Sequence, residues 1–243
     1  MTNPIILSVQ DLAISFGKNH VLKSVNFELN HNEVLGVIGP NGAGKTVLLN
    51  ILTGILKPTS GKIFFKGEDI TNTGITERVR KGFGRTFQIP RSFEKMTAYE
   101  NIICGGVYGD GLTEKQAGER AWGILQTIGL QSKADIYAGK LNLLDRKRLE
   151  IGSAMASDPE VLFLDEVAGG LTETEVAEIL EIVRDLKAGG CTIIWIEHVI
   201  QTMLYGTDRI LLLSDGRDII TGLPYDVMNC EECEAVYLGV KTK

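Results

Sequence analysis

A chain of 243 residues, 44% hydrophobic and 23% charged, suits one large α/β domain with a lobe or two small domains. The 25 basic and 31 acidic side chains leave a net charge of −6, which argues against a nucleic-acid binder built on a broad basic surface. Of the cysteines, only Cys230 and Cys233 are close, in an acidic CEEC stretch; a structural zinc site needs more ligands, so reduced thiols are expected. No basic leader with a cleavage site and no apolar run of membrane-spanning length is visible. A soluble protein of a reducing compartment is expected, with any membrane part supplied by a partner.

Residues 5–16 alternate apolar and polar side chains, predicting a half-exposed strand. Phe16 at its end either meets an adenine ring or closes a core. A turn at 17–19 leads to a second alternating strand at 21–29, so an antiparallel β layer is expected first. Residues 34–38 (VLGVI) read as a buried strand and residues 47–56 (VLLNILTGIL) as a helix. Between them GPNGAGKT fits the phosphate-binding loop G-x-x-x-x-G-K-[ST] in its strand–turn–helix context. Gly42 and Gly44 lack a Cβ, so the backbone can bend and aim N–H groups at phosphate oxygens. A helix starting near Lys45 adds the positive end of its dipole. The candidate contacts are Gly39, Pro40, Asn41, Gly42, Ala43, Gly44, Lys45, Thr46 and Val47. Lys45 is expected at the β- and γ-phosphates and the Thr46 hydroxyl at Mg²⁺.

A turn at 58–61 precedes a strand at 62–65. A short charged helix is expected at 76–81 and a strand at 83–88, ending on Gln88. An irregular segment from residue 89 then gives way to a helix reaching residue 110, with Thr97 as N-cap and Glu100 at capping-box spacing. Thr113 and Gln116 repeat the device for a helix to about residue 128. These helices form a mostly polar lobe, roughly residues 89–157. Its last helix, 142–156, starts from Asn142 as N-cap. Arg146, Lys147 and Arg148 occupy its first turns, where the dipole disfavours cations. They read equally as a solvated face or as facing a phosphate or acidic partner.

Residues 161–164 (VLFL) form a buried strand with Asp165 and Glu166 at its carboxyl end, where parallel α/β sheets bind ligands. Two acids there are costly unless used. Asp165 is expected to bind Mg²⁺ through its water shell, and Glu166 to activate or orient an attacking water. Thr172 and Glu175 cap a helix to residue 187, which Gly189 and Gly190 end. Residues 192–196 (TIIWI) form another buried strand, followed by Glu197 and by His198, which is expected beside a γ-phosphate. A hairpin at 209–213 and 218–221 turns across Asp215 and Gly216, and short helices at 224–228 and 231–238 follow.

In this order the pieces resemble the ATP-binding subunit of an ABC transporter along nearly the whole chain. GPNGAGKT is similar to Walker A, Gln88 in GRTFQ to the Q-loop, VLFLDE to Walker B, and His198 in IIWIEH to the switch histidine. RTFQIPRSFEKMTAYENI, DEVAGGLTETE and VYLG are similar to the branched-chain amino acid uptake group, whose ligands extend to urea, amides and aromatic acids. The resemblance implies an α/β P-loop NTPase core over residues 1–243, with an N-terminal antiparallel β layer and an inserted α-helical lobe. It implies ATP with Mg²⁺, catalysis by Glu166, His198 and Gln88, and metal binding by Thr46, Gln88 and Asp165. Phe16 and Asn142 are implied at the nucleotide. A second ATPase subunit, identical or not, membrane permease subunits and, indirectly, a solute-binding protein are the implied partners, on the cytoplasmic side of a membrane.

One stretch departs from the family. LNLLD at 141–145 stands where LSGGQ is expected, and two leucines hinder the backbone approach to an anion that glycines allow. Thr172 stands where the family carries Asp or Asn. The alternative expectation is therefore a regulatory cassette that hydrolyses weakly beside an active partner. A cassette acting on ribosomes or DNA is disfavoured by the absence of a second cassette, a long insertion or a basic surface. A small GTPase is disfavoured by the lack of an N-K-x-D motif.

Overall fold

The computed structural model describes residues 4–88 and 92–238. In chain order the elements are β1 (Ile5–Phe16), β2 (Asn19–Asn30), β3 (Val34–Ile38), α1 (Lys45–Leu52), β4 (Ser60–Phe65), β5 (Glu68–Asp69) and α2 (Ile75–Arg80). Then come β6 (Phe83–Arg85), α3 (Ala98–Asp110), α4 (Glu114–Thr127), α5 (Leu143–Met155), β7 (Val161–Asp165) and α6 (Glu173–Ala188). The chain closes with β8 (Thr192–Ile196), α7 (Ile200–Gly206), β9 (Arg209–Ser214), β10 (Arg217–Gly222), α8 (Pro224–Met228) and α9 (Glu231–Leu238). Two compact units result, residues 1–75 with 192–243, and residues 76–191.

In the first unit β1 pairs antiparallel with β2 and with β4, which is the expected β layer. Alternation sends Leu7 and Val9 into the core, and an irregularity at Asp11, φ +47°, resets the phase so that Leu12 and Ile14 enter it too. β3 runs parallel to both β8 and β9, so VLGVI is buried on every residue, as a central parallel strand requires. Gly36 lets α7 pack close: a Cβ there would lie 2.8 Å from Met203 Sδ. β9 and β10 form the expected antiparallel hairpin.

In the second unit β6 and β7 pair in parallel, with the Phe83 and Phe163 rings 5.3 Å apart. Thr97, Thr113 and Thr172 each form the full capping box anticipated at α3, α4 and α6.

Two element expectations need correction. The helix expected at 47–56 is α1, which starts at Lys45 and stops at Leu52. Thr53 Oγ1 bonds back to Leu49 O at 2.8 Å, and Gly54 turns the chain at φ +78°. The strand expected at 83–88 ends at Arg85, because the Phe87 N–H leaves the ladder for the Glu150 carboxylate at 2.6 Å. The short charged helix expected at 76–81 is present as α2, which buries Arg78, 1% exposed, whose pKa burial pushes down to about 10. Of the irregular segment read from residue 89, residues 89–91 lie outside the described residues.

Candidate nucleotide site

The loop between β3 and α1 owes its shape to three glycines in the left-handed half of backbone space, at φ +151° for Gly39, +83° for Gly42 and +103° for Gly44. A Cβ on Gly39 would lie 2.0 Å from Leu213 O, and one on Gly44 2.6 Å from Leu22 Cδ2. At Gly42 nothing lies within 4 Å, so the dihedral alone demands glycine there. Gly44 is also the N-cap of α1 and offers no side-chain cap, and no acid sits in the first turn. The start of α1 thus has neither a side-chain cap at Gly44 nor an acid of its own first turn against its N–H groups and positive dipole end. Lys45 is buried and donates to Gly39 O at 2.7 Å and Pro40 O at 3.1 Å, filling the loop with its own cation. Ala43 is buried, Pro40 and Val47 are half-buried, and Asn41 and Thr46 are exposed.

Phe16 is 49% exposed at the end of β1, so the alternative that it closes a core is set aside. Past β8, Glu197 is buried and accepts from the His198 N–H at 3.1 Å. His198 is exposed, and both residues line a cavity of about 510 Å³ with Ile38, Ile200 and Met203.

In the second unit Asp165 ends β7, and its side chain is 4% exposed. Its Oδ2 accepts from Arg85 Nη2 at 3.1 Å, and its backbone N–H donates to Thr86 Oγ1 at 3.0 Å. Its Oδ1 is buried without a hydrogen-bond partner. Burial raises the Asp165 pKa, against the opposing pull of Arg85. A buried carboxylate oxygen lacking a donor suits a hydrated hard cation, so this residue fits the implied Mg²⁺.

Glu166 follows at φ +50°, a left-handed conformation that costs a non-glycine residue about 1–2 kcal/mol. Its Oε2 accepts from Gln88 Nε2 at 2.7 Å, bringing together two of the expected catalytic residues. Its carbonyl accepts from Lys147 Nζ at 2.8 Å.

Asn142 caps α5 as expected, its Oδ1 accepting from the Asp145 N–H at 2.8 Å. Asp145 is buried, ion-paired with Lys133 and lies 3.8 Å from Arg148 Nη1. The Asp145 charge is therefore compensated within the chain. The solvated-face reading of the basic cluster is corrected likewise. Arg146 donates to Leu141 O and Gly139 O, Lys147 is buried, and Arg148 pairs with Glu178 and Asp145. Sequence reasoning missed Arg85 and Lys147 as site residues. Their only signal was a cation two residues after β6 begins and another in an electrostatically unfavourable helix turn.

Residues 22–169 match the ABC transporter family. The chain is 35% identical to the high-affinity branched-chain amino acid transport ATP-binding protein LivG of Escherichia coli K12, over 98% of this chain and 99% of that one. It is 32% identical to the lipopolysaccharide export system ATP-binding protein LptB of Haemophilus influenzae, over 98% and 99%. Among solved structures, the ADP conformation of MJ1267, an ATP-binding cassette of an ABC transporter, superposes with a TM-score of 0.89 at 30% identity, covering 97% of this chain and 99% of that one. cbiO1 of Clostridium perfringens, part of the ABC transporter complex cbiONQ, gives a TM-score of 0.85 at 29% identity, covering 98% and 96%. The chain belongs to the ATP-binding cassettes of the ABC transporter family, and its class of enzyme is the ATPase. Among the described residues, no helix is long and apolar enough to cross a membrane.

Proposed function

We propose that this chain binds and hydrolyses ATP to energise an importer, with the phosphates cradled by residues 39–47. The supporting observation is the glycine-turned loop that presents the uncapped start of α1 around the buried Lys45. In this reading Lys45 exchanges its two carbonyl partners for phosphate oxygens, and Phe16 stacks on the base. Thr46, Gln88 and Asp165 hold Mg²⁺, Asp165 through water. When bound, Mg²⁺ neutralises charge on the β- and γ-phosphate oxygens. Glu166 accepts a hydrogen bond from the attacking water, Gln88 orients the Glu166 carboxylate, and His198 donates to the γ-phosphate. Catalysis is then positioning plus charge stabilisation. Asn142 serves the nucleotide of a second cassette, and permease subunits anchor the pair at the cytoplasmic face of a membrane. Nucleic acid is not a partner in this reading.

Glu166→Gln keeps the shape and removes the base. ATP binding, followed by equilibrium dialysis, should stay within about threefold of wild type, while turnover falls by roughly 10²-fold or more. Wild-type turnover in that variant would reject the assigned role.

For the solute, a branched-chain amino acid or a related small molecule is the reading supported by the 35% identity to the LivG proteins and by the three stretches similar to that group. The relative named for lipopolysaccharide export motivates the second reading. Vesicles carrying the chain together with permease subunits and a solute-binding protein decide between them. Leucine-stimulated hydrolysis and uptake support the first, and stimulation by lipopolysaccharide alone the second.

A further inference from the structure

Lys147 and Glu150 stand three residues apart on α5, a spacing that puts them on one helix face. Both are buried, at 5% and 7% exposure, where an ion is costly unless its hydrogen bonds are made. Glu150 Oε1 accepts from the Phe87 N–H at 2.6 Å, and Lys147 Nζ lies 3.4 Å from Gln88 O. Two consecutive residues are thus held by their backbone, one through its donor and the next through its acceptor. The same Lys147 Nζ donates to Glu166 O at 2.8 Å, the carbonyl of the residue held at φ +50°. A residue in that conformation persists only where its surroundings over-determine it. The Gln88 and Glu166 side chains meet at 2.7 Å between these anchored backbones.

We propose that Lys147 is a positioning residue for hydrolysis: with Glu150 it clamps residues 87–88 and the Glu166 carbonyl so that the Gln88 amide stays on the Glu166 carboxylate. The proposal rests on the catalytic reading of Gln88 and Glu166. The ammonium makes no contact with substrate; it ties two backbone carbonyls together, and Glu150 sets the approach of the chain to the first of them.

The test uses the full chain as Lys147→Met, Lys147→Arg, Gln88→Ala and the Lys147→Met/Gln88→Ala double variant. Amide hydrogen exchange reads the clamp without any turnover. Exchange at residues 86–88 should quicken by about tenfold or more in Lys147→Met, stay near wild type in Lys147→Arg, and leave β7 unchanged. Unaltered exchange at 86–88 overturns the clamp. With saturating MgATP, Lys147→Met should lower kcat roughly 10- to 100-fold with KM within about threefold. Placed on Gln88→Ala it should lower kcat no further, since the positioned group is already gone. A loss that adds fully to that of Gln88→Ala overturns the positioning role. If Lys147→Met does not fold, Lys147→Gln carries the same readouts. Wild-type turnover in Glu166→Gln would instead sink the catalytic reading, and the exchange result would still stand for the clamp.

Discussion

Asp165 carries the sharpest conflict between stability and use. Its carboxyl is buried, one oxygen is paired with Arg85 and the other has no donor. Burial raises its pKa above the ordinary 3.8. Between 3.8 and the raised folded value, the folded state binds more protons than the unfolded one. The stability contributed by this group is therefore complete below 3.8 and is lost as pH rises through the folded pKa. Asp165→Asn cannot titrate. The melting temperature of the wild type relative to Asp165→Asn should accordingly fall as pH rises from 3.8 through the raised folded value, as followed by calorimetry. A difference independent of pH across that window would show that Arg85 fully offsets burial. On the proposed function the same variant should also lose Mg²⁺-supported hydrolysis. Asp165 and Glu166 stood out in the sequence as candidates because acids after an apolar strand demand a reason, and Gln88 only through the resemblance. Arg85 and Lys147 did not, because their partners are 80 and 19 residues away and only the fold brings them together.

At the scale of elements, local chemistry foretold where helices begin better than where they or the strands end. Each capping box needs only a threonine and an acid or amide three residues on, so α3, α4 and α6 could be placed from sequence. Thr172 bonds the Glu175 N–H, and the Glu175 carboxylate returns to the Thr172 N–H at 2.8 Å. Thr172→Ala removes the first of these bonds. It should destabilise the protein by about 1 kcal/mol, a drop of roughly 2–4 °C in melting temperature for a chain of this size. A shift below about 0.5 °C would mean that water replaces the cap. The ends of α1 and β6 escaped because their signals are tertiary. The hydroxyl of Thr53 turns back on its own helix, and Glu150 captures the Phe87 amide from 63 residues away.

Across the whole molecule, both chain ends build the unit that holds the phosphate loop. β3 is flanked by β8 and β9, so the strand feeding the loop is complete only after the chain has passed through residues 76–191 and returned. That pairing is not visible in the order of motifs along the chain. The sequence did carry the charge that governs association. Each chain bears −6 at neutral pH, so two copies repel beyond contact distance. At the signature stretch, residues 141–145, Lys133 and Arg148 compensate the Asp145 charge, so that charge adds little to the repulsion. Self-association should therefore be limited by long-range repulsion, which salt screens over about 10 Å at 0.1 M. In Glu166→Gln with MgATP, sedimentation should show a species of about twice the 26.5 kDa chain mass. Its dissociation constant should fall as ionic strength rises from roughly 0.05 to 0.3 M. If it rises instead, attraction between opposite charges at the interface outweighs the net repulsion, and the signature stretch together with the bound nucleotide becomes the place to look for those charges.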